Sequence, residues 1–323
     1  MTTAPGAPPL TIATGATQRP APRRKPRGTP RTWYKRGGFS TLMFVLPLLF
    51  IFILFSWAPI VQSVIMSFQK TNLITTSWVG LENFQHVLAN PSLGKAVLNT
   101  GYFALLALIF GFPLPILLAV LMSEVRRGKG FYSALAYLPV IVPPVVAVLM
   151  WKFFYSADSA GVFNTFLGWV GIPPQPWIQS ALTAMPSLVL EATWAAAGGS
   201  VIIYLAALIS VPPELYDAVE VDGAGIWRKI WHVTLPQLRG VIFIMLILQI
   251  IGTVQVFLEP FLFTSGGPNN ATVTVLLLIF RYAFQNSLGG QYGEATALSL
   301  MLAVVLGLLS FAYFKLTNRW STS

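Results

Sequence analysis

Apolar residues run along this chain in blocks long enough to cross a bilayer, separated by shorter polar stretches. A spanning helix takes about 20 predominantly apolar residues. Six blocks reach that length, at roughly 41–64, 97–122, 131–151, 183–210, 240–264 and 295–316. The first opens Thr41-Leu-Met-Phe-Val-Leu-Pro and continues past Trp57. It is too long for a signal-peptide core and no small-residue cleavage site follows, so it reads as an uncleaved first span. The third holds Pro139, Pro143 and Pro144. Such breaks persist in a bilayer only where neighbouring helices or water satisfy the freed carbonyls, which places that helix inside the protein, as a candidate pathway element. The fold class is therefore all-α: a polytopic membrane protein with six transmembrane helices.

Basic residues orient the spans. The tail before span one carries Arg19, Arg23, Arg24, Lys25, Arg27, Arg31, Lys35 and Arg36, the loop after span two Arg126, Arg127 and Lys129, the loop after span four Arg228, Lys229 and Arg239, and the C-terminus Lys315 and Arg319. That is 16 of the 20 basic residues on one side; Lys70, Lys95, Lys152 and Arg281 fall on the other. Cytoplasmic loops hold the positive excess, so both termini are expected inside, as an even number of spans also requires. Residues 1–40, rich in Pro, Gly, Thr and basic residues without apolar periodicity, read as a disordered cytoplasmic tail. Residues 41–316 form the membrane domain and 317–323 a cytoplasmic C-terminus. Trp78, Trp151, Trp169 and Trp177 fall in or beside the outer segments, as an interfacial aromatic belt would.

Composition agrees and narrows the chemistry. The 323 residues are 55% hydrophobic and 9% charged, against about 25% charged in soluble domains. The absence of cysteine excludes a disulfide framework, a thiolate metal site and a Cys nucleophile. His86 and His232 lie far apart and form no ligand pair. The net charge of +10 is topological, with anionic lipid as its neighbour, and no nucleic-acid partner is expected.

One loop departs from the pattern. The segment 211–239 reads Val211-Pro-Pro-Glu-Leu-Tyr-Asp-Ala-Val-Glu-Val-Asp-Gly-Ala-Gly-Ile-Trp-Arg-Lys-Ile-Trp-His-Val-Thr-Leu-Pro-Gln-Leu onward. Pro212 and Pro213 suit a helix start, and Glu214 and Asp217 favour its positive end. Gly223 can take the left-handed conformation that stops a helix. Asp222 can cap a second helix to about Val233. Ile226, Ile230 and Val233 give that helix an apolar stripe, with Trp227 and Trp231 beside it, and Pro236 closes the segment ahead of span five. Four of the ten acidic residues sit at 214–222, an acidic cluster on a basic face, with Leu215, Tyr216, Ala218 and Val219 among the charges. This is a knob for a protein partner; a lipid-surface helix pair is the alternative.

The loop resembles the signature of permease subunits of binding-protein-dependent ABC importers: Glu-Ala-Ala, then Asp-Gly-Ala, then a hydrophobic-x-Leu-Pro ending. Here it runs Asp217-Ala218-Val219, Asp222-Gly223-Ala224 and Val233-Thr234-Leu235-Pro236. Asp for the first Glu and Val for the second Ala are the departures, and they keep charge and apolar character. Pro-Pro-Glu-Leu-Tyr before it and Leu-Pro-Gln-Leu at its end are similar to the carbohydrate branch. Val79-Gly80-Leu81-Glu82-Asn83-Phe84, and Phe257-Leu258-Glu259 followed by Thr264-Ser265-Gly266-Gly267-Pro268, resemble segments of maltose- and glycerol-phosphate-type sugar permeases. The likeness covers 41–316. It implies a type I ABC importer permease fold in the bacterial cell membrane and an ATP-driven import function for a sugar or oligosaccharide. It also implies a coupling loop at Glu214, Asp217, Ala218, Val219, Asp222, Gly223, Ala224, Leu235 and Pro236 that seats on an ATPase. The implied partners are a second permease subunit, an ABC ATPase dimer and an extracytoplasmic solute-binding protein. No cofactor is expected in this chain, since ATP and Mg are used by the ATPase. No Walker sequence is present; Gly266-Gly267-Pro268 lacks the Gly-Lys-Ser/Thr ending and reads as a turn.

Two carboxylates lie within spans. Glu191 is expected about 12 Å into span four at 1.5 Å per residue, and Glu259 near the end of span five. Intramembrane carboxylates default to function and accept hydrogen bonds from sugar hydroxyls; a headgroup-level or helix-terminus role is the alternative. Gln255, with Gln249, is a polar candidate in span five, where interhelical hydrogen bonding also fits. Trp194 and Tyr204 could stack on a sugar ring or simply pack. The small run Ala195–Ser200 reads as a helix-contact face, at a partner permease or elsewhere. A stand-alone proton-coupled transporter using Glu191 and Glu259 is the competing function, though no inverted repeat is visible. A membrane enzyme has no supporting constellation.

Overall fold

The computed structural model describes residues 38–125, 127–285 and 291–321. The expected disordered tail therefore lies almost wholly outside the described residues. The helices Ser40–Ser67 (span one), Pro91–Glu124 (span two), Ala184–Ile209 (span four), Ile226–Val254 (span five) and Tyr292–Thr317 (span six) are each long and apolar enough to cross a membrane. Gly130–Ile141 and Pro144–Phe154 make span three, bent by 98° at the break between them. Pro143 and Pro144 cause that break: neither offers an N–H to the ladder, and Val142 leaves the helix in an extended conformation.

The chain divides into two units, Met1–Pro59 and Ile60–Ser323. In the first, the side chains of residues 40–59 are exposed except half-buried Ser56, and nearly all are apolar, the composition of a surface bathed in lipid.

Prolines shape the long spans in a repeated way. π-turns occur at Ile53–Trp57, Ala107–Gly111 and Ile230–Thr234, and Pro59, Pro113 and Pro236 each follow two residues later. A proline ring collides with the carbonyl four residues back. Here those residues are Phe55, Ile109 and His232, all inside the π-turns, whose wider i→i+5 bonding makes room for the ring. The N–H of Leu235 donates to Ile230 O, and that of Phe112 to Ala107 O at 2.9 Å. This corrects the expected end of the second loop helix. Pro236 does not close the segment; the helix from Ile226 runs through it into the membrane without interruption.

In the second unit, span four packs against spans two, three and five. The small run in it is a contact face within the chain. A Cβ on Gly198 would strike the backbone carbonyl of Ala136 in span three, whereas one on Gly199 would meet nothing within 4 Å. An aromatic cluster joins spans three and four: Trp151, Tyr155, Phe163, Trp177 and Trp194 pack with tilted rings at centroid distances of 5.3 to 5.7 Å. Tyr155 donates to Ser187 O at 2.7 Å. Trp151 is thus a core residue, 8% exposed, and not part of an interfacial belt; Trp78 and Trp169 are exposed.

The all-α expectation missed one small sheet. β1 (Gln69–Thr71) and β2 (Thr76–Trp78) pair antiparallel. The turn between them is set by Asn72, whose Oδ1 accepts from the N–H groups of Ile74 and Thr75 at 3.0 and 2.8 Å. The Val79–Phe84 motif explains itself here. Val79 N–H continues the pairing to Phe68 O, and buried Asn83 donates to both Ser67 O and Gln69 O at 2.9 Å. Asn83→Ala leaves two carbonyls without that donor, and a loss of about 1–3 kcal/mol is expected. Thermal unfolding of the purified protein, against Gln85→Ala at a neighbouring position, checks it.

Candidate functional site

The coupling knob is a helix, Pro213–Val221, followed by a turn and the start of span five. Pro212 and Pro213 begin the helix and Glu214 occupies its first turn, where a carboxylate complements the helix dipole. Gly223 has φ +74°, a left-handed conformation open chiefly to glycine. Its N–H donates to Glu220 O at 2.9 Å and that of Ala224 to Val219 O at 3.1 Å. Asp222 does not cap the second helix as expected. It ends the first, at φ −73° and ψ 2°, and Gly225 stands at the start of the second without a side-chain cap. The glycine turn consumes Gly223 and Ala224, so the helix begins too late for Asp222 to reach it.

The knob is folded back on span five by side chains. Lys229 pairs with Glu220, Tyr216 Oη lies 3.3 Å from Thr234 Oγ1, and Ala224 is buried beneath the turn. Glu214, Asp217, Ala218, Asp222 and Gly223 are exposed, Val219 and Leu235 are half-buried, and Pro236 is exposed. The knob presents four exposed carboxylates, Glu214, Asp217, Glu220 and Asp222, and small side chains outward, with Glu220 also pairing to Lys229 of span five.

Span five leads from the knob to a cavity. A space of about 540 Å³ is bounded by spans two, four and five, with Thr193, Ser200, Gln249, Thr253, Gln255 and Glu259 as its hydrogen-bonding side chains and Glu259 as the charged one. A second space, about 230 Å³, lies where span three breaks and is lined by Glu191, Glu259, Pro139 and Pro144 among others. Glu259 faces both. Glu191 is 1% exposed, and its Oε2 has no hydrogen-bond partner among the described residues.

The structure thus brings together Glu191, Gln255 and Glu259 of the expected pathway residues. It places Trp194 and Tyr204 elsewhere, since neither borders the two cavities. Trp194 packs 5.5 Å from Trp151 in the aromatic cluster. Tyr204, 1% exposed, sits among Ala119, Val120, Val201, Leu208 and Leu238. Thr193, Ser200 and Thr253 were missed. Their signal was weak but present: Thr193 and Ser200 lie seven residues apart, two turns on one face of span four.

The Thr264–Pro268 motif follows the π-turn Pro260–Thr264, beyond the end of span five. Ser265 and Gly266 both have positive φ, at 48° and 88°. Arg281 Nη2 donates to Ser265 O at 2.7 Å, and Asn99 reaches over from span two to Asn270 O and Val273 O at 2.8 and 2.9 Å. A Cβ on Gly266 would collide with Arg281 and Val273.

A family model described as binding-protein-dependent transport system inner membrane component matches residues 111–320, which hold the knob and most of the cavity lining. The chain belongs to this family. This permease is 30% identical over 276 residues, 85% of its length and 86% of the relative's, to the arabinooligosaccharides transport system permease protein AraP of Halalkalibacterium halodurans. It is 28% identical to the trehalose/maltose transport system permease protein MalF of Thermococcus litoralis, over 89% of this chain and 96% of that one. A bacterial ABC transporter involved in import of the acidic polysaccharide alginate has a chain of the same fold. The TM-score is 0.79 at 28% identity, covering 90% of this chain and 99% of that one. The permease is accordingly a multi-pass membrane component of a transport system, with a type I ABC importer fold.

Proposed function

We propose that the permease forms half of the translocation pathway of an ATP-driven importer for a sugar or oligosaccharide. Both termini lie in the cytoplasm, following the basic residues. A second permease subunit completes the pathway and an extracytoplasmic solute-binding protein delivers the cargo. The knob Glu214–Ala224 seats on a separate ABC ATPase dimer, which uses ATP and Mg.

The continuity of the knob with span five carries this reading. The exposed acidic surface is tied to the first turns of the Ile226–Val254 helix by Glu220–Lys229 and Tyr216–Thr234, and Gln249, Thr253 and Gln255 at its other end border the cavity. Closure of an ATPase around the knob would act on the cavity through one continuous helix, Ile226–Val254. Thr193, Ser200, Gln249, Gln255 and the carboxylates offer the donors and acceptors that a polyhydroxylated cargo needs. The names of the relatives, arabinooligosaccharide and trehalose/maltose permeases, support the carbohydrate class.

The chain has no native cysteine, so single-cysteine variants report cleanly. In the assembled transporter, Ala218→Cys is expected to cross-link to the ATPase subunit with a short bifunctional reagent, and Ile74→Cys in the hairpin turn is not. Equal cross-linking from both, or none from Ala218→Cys, contradicts the docking assignment.

A further inference from the structure

We propose that the half of the pathway this chain lines selects cargo by charge, favouring neutral or cationic saccharides over uronates and other anions. The inference rests on the pathway assignment above and adds to it a property of the cargo. Every charged side chain lining the two cavities is a carboxylate. Glu259 borders both, Glu191 borders the smaller, and no Lys, Arg or His lines either among the described residues. The remaining polar groups, Thr193, Ser200, Gln249, Thr253 and Gln255, are uncharged.

Glu191 is the independent pointer to a ligand. A buried carboxylate is ordinarily paired or hydrogen-bonded, because burial without a partner is costly. Three buried side-chain atoms have no hydrogen-bond partner among the described residues, Trp151 Nε1, Tyr204 Oη and Glu191 Oε2, and of the three only Glu191 belongs to a residue that lines either cavity. The Glu191 oxygen belongs to a side chain that borders open space beside a second carboxylate, at the break in span three. Cargo hydroxyls or an ammonium group supply the missing donors; a cargo carboxylate supplies none and would itself be buried without a cationic partner. The fold is shared with a transporter whose cargo is an acidic polysaccharide, yet the charge of this cavity argues for a different cargo class.

The test uses the complete transporter, with its partner permease, ATPase and binding protein, in ATP-loaded proteoliposomes. The outside medium holds an equimolar mixture of neutral, uronate-containing and amino-sugar trisaccharides with short peptides of each charge, and the lumen is read by mass spectrometry. The accumulated solute is expected to be neutral or cationic, with anionic trisaccharides at least about tenfold lower. Glu191→Gln and Glu259→Gln keep shape and remove charge. In complexes that still assemble by size exclusion, each is expected to lower uptake at limiting cargo roughly tenfold. Accumulation of an anionic solute overturns the inference, as does unchanged uptake in both variants. A neutral or cationic peptide in the lumen would remove the carbohydrate reading and leave the charge selection standing.

Discussion

Gly223→Pro is expected to reduce ATP-driven uptake to background while the chain still inserts in the membrane. Proline fixes φ near −65°, whereas Gly223 sits at +74°, and the substitution also removes the N–H that donates to Glu220 O at 2.9 Å. The first knob helix then cannot turn back, and both links to span five, Glu220–Lys229 and Tyr216–Thr234, are lost. Gly223→Ala should be intermediate, because an L-residue in the left-handed region costs about 1–2 kcal/mol. Gly225→Ala is the control: its φ of −69° is ordinary and a Cβ there meets nothing within 4 Å. Cargo-stimulated ATPase activity in the reconstituted complex is the readout. Wild-type stimulation in Gly223→Pro would show that the glycine turn does not position the knob.

The second large effect is on assembly of the membrane domain. Gly198→Val places a branched side chain against the Ala136 carbonyl and Val140 at the crossing of spans three and four. Overpacking of this kind costs about 1–3 kcal/mol even where side chains can yield, and a backbone carbonyl yields less. Spans three and four must separate, and with them the Glu191 cavity at the break. The folded fraction recovered in detergent is expected to fall sharply, with a lowered thermal midpoint in what remains. Gly199→Val, one residue along with open space around it, should behave as wild type.

The spans were legible in the sequence because lipid demands length and apolarity of each helix separately. All six expected blocks overlap helices, the proline-rich third proves to be broken, and the fifth helix runs Ile226–Val254, starting and ending earlier than the expected 240–264. What sequence periodicity did not carry was the accommodation of prolines. Pro236 read as a terminator, since an α-helix cannot hold it unaided, and the π-turn at Ile230–Thr234 reverses that conclusion. The knob's acidic face and glycine hinge were legible from local chemistry; the capping residue was not, because Asp222 and Gly225 compete for one turn whose length the sequence leaves open. Glu191, Gln255 and Glu259 stood out as polar groups in apolar blocks. Trp194 and Tyr204 share that visibility, but large aromatics serve packing and ligand stacking equally well, and only their neighbours, Trp151 and the Ala119–Leu238 cluster, distinguish the two. The hairpin at Gln69–Trp78 was missed because its strands are three residues each, too short for an alternation to register.

The central claim is that this permease moves cargo only when a separate ATPase acts on its knob. Uptake in proteoliposomes holding the permease pair and binding protein, with and without the ATPase subunits, tests it most directly. Cargo accumulation that requires both the ATPase and internal ATP, and that survives a protonophore, is the predicted result. Accumulation that persists without the ATPase and collapses with the protonophore would contradict the account and make Glu191 and Glu259 proton sites of a stand-alone transporter.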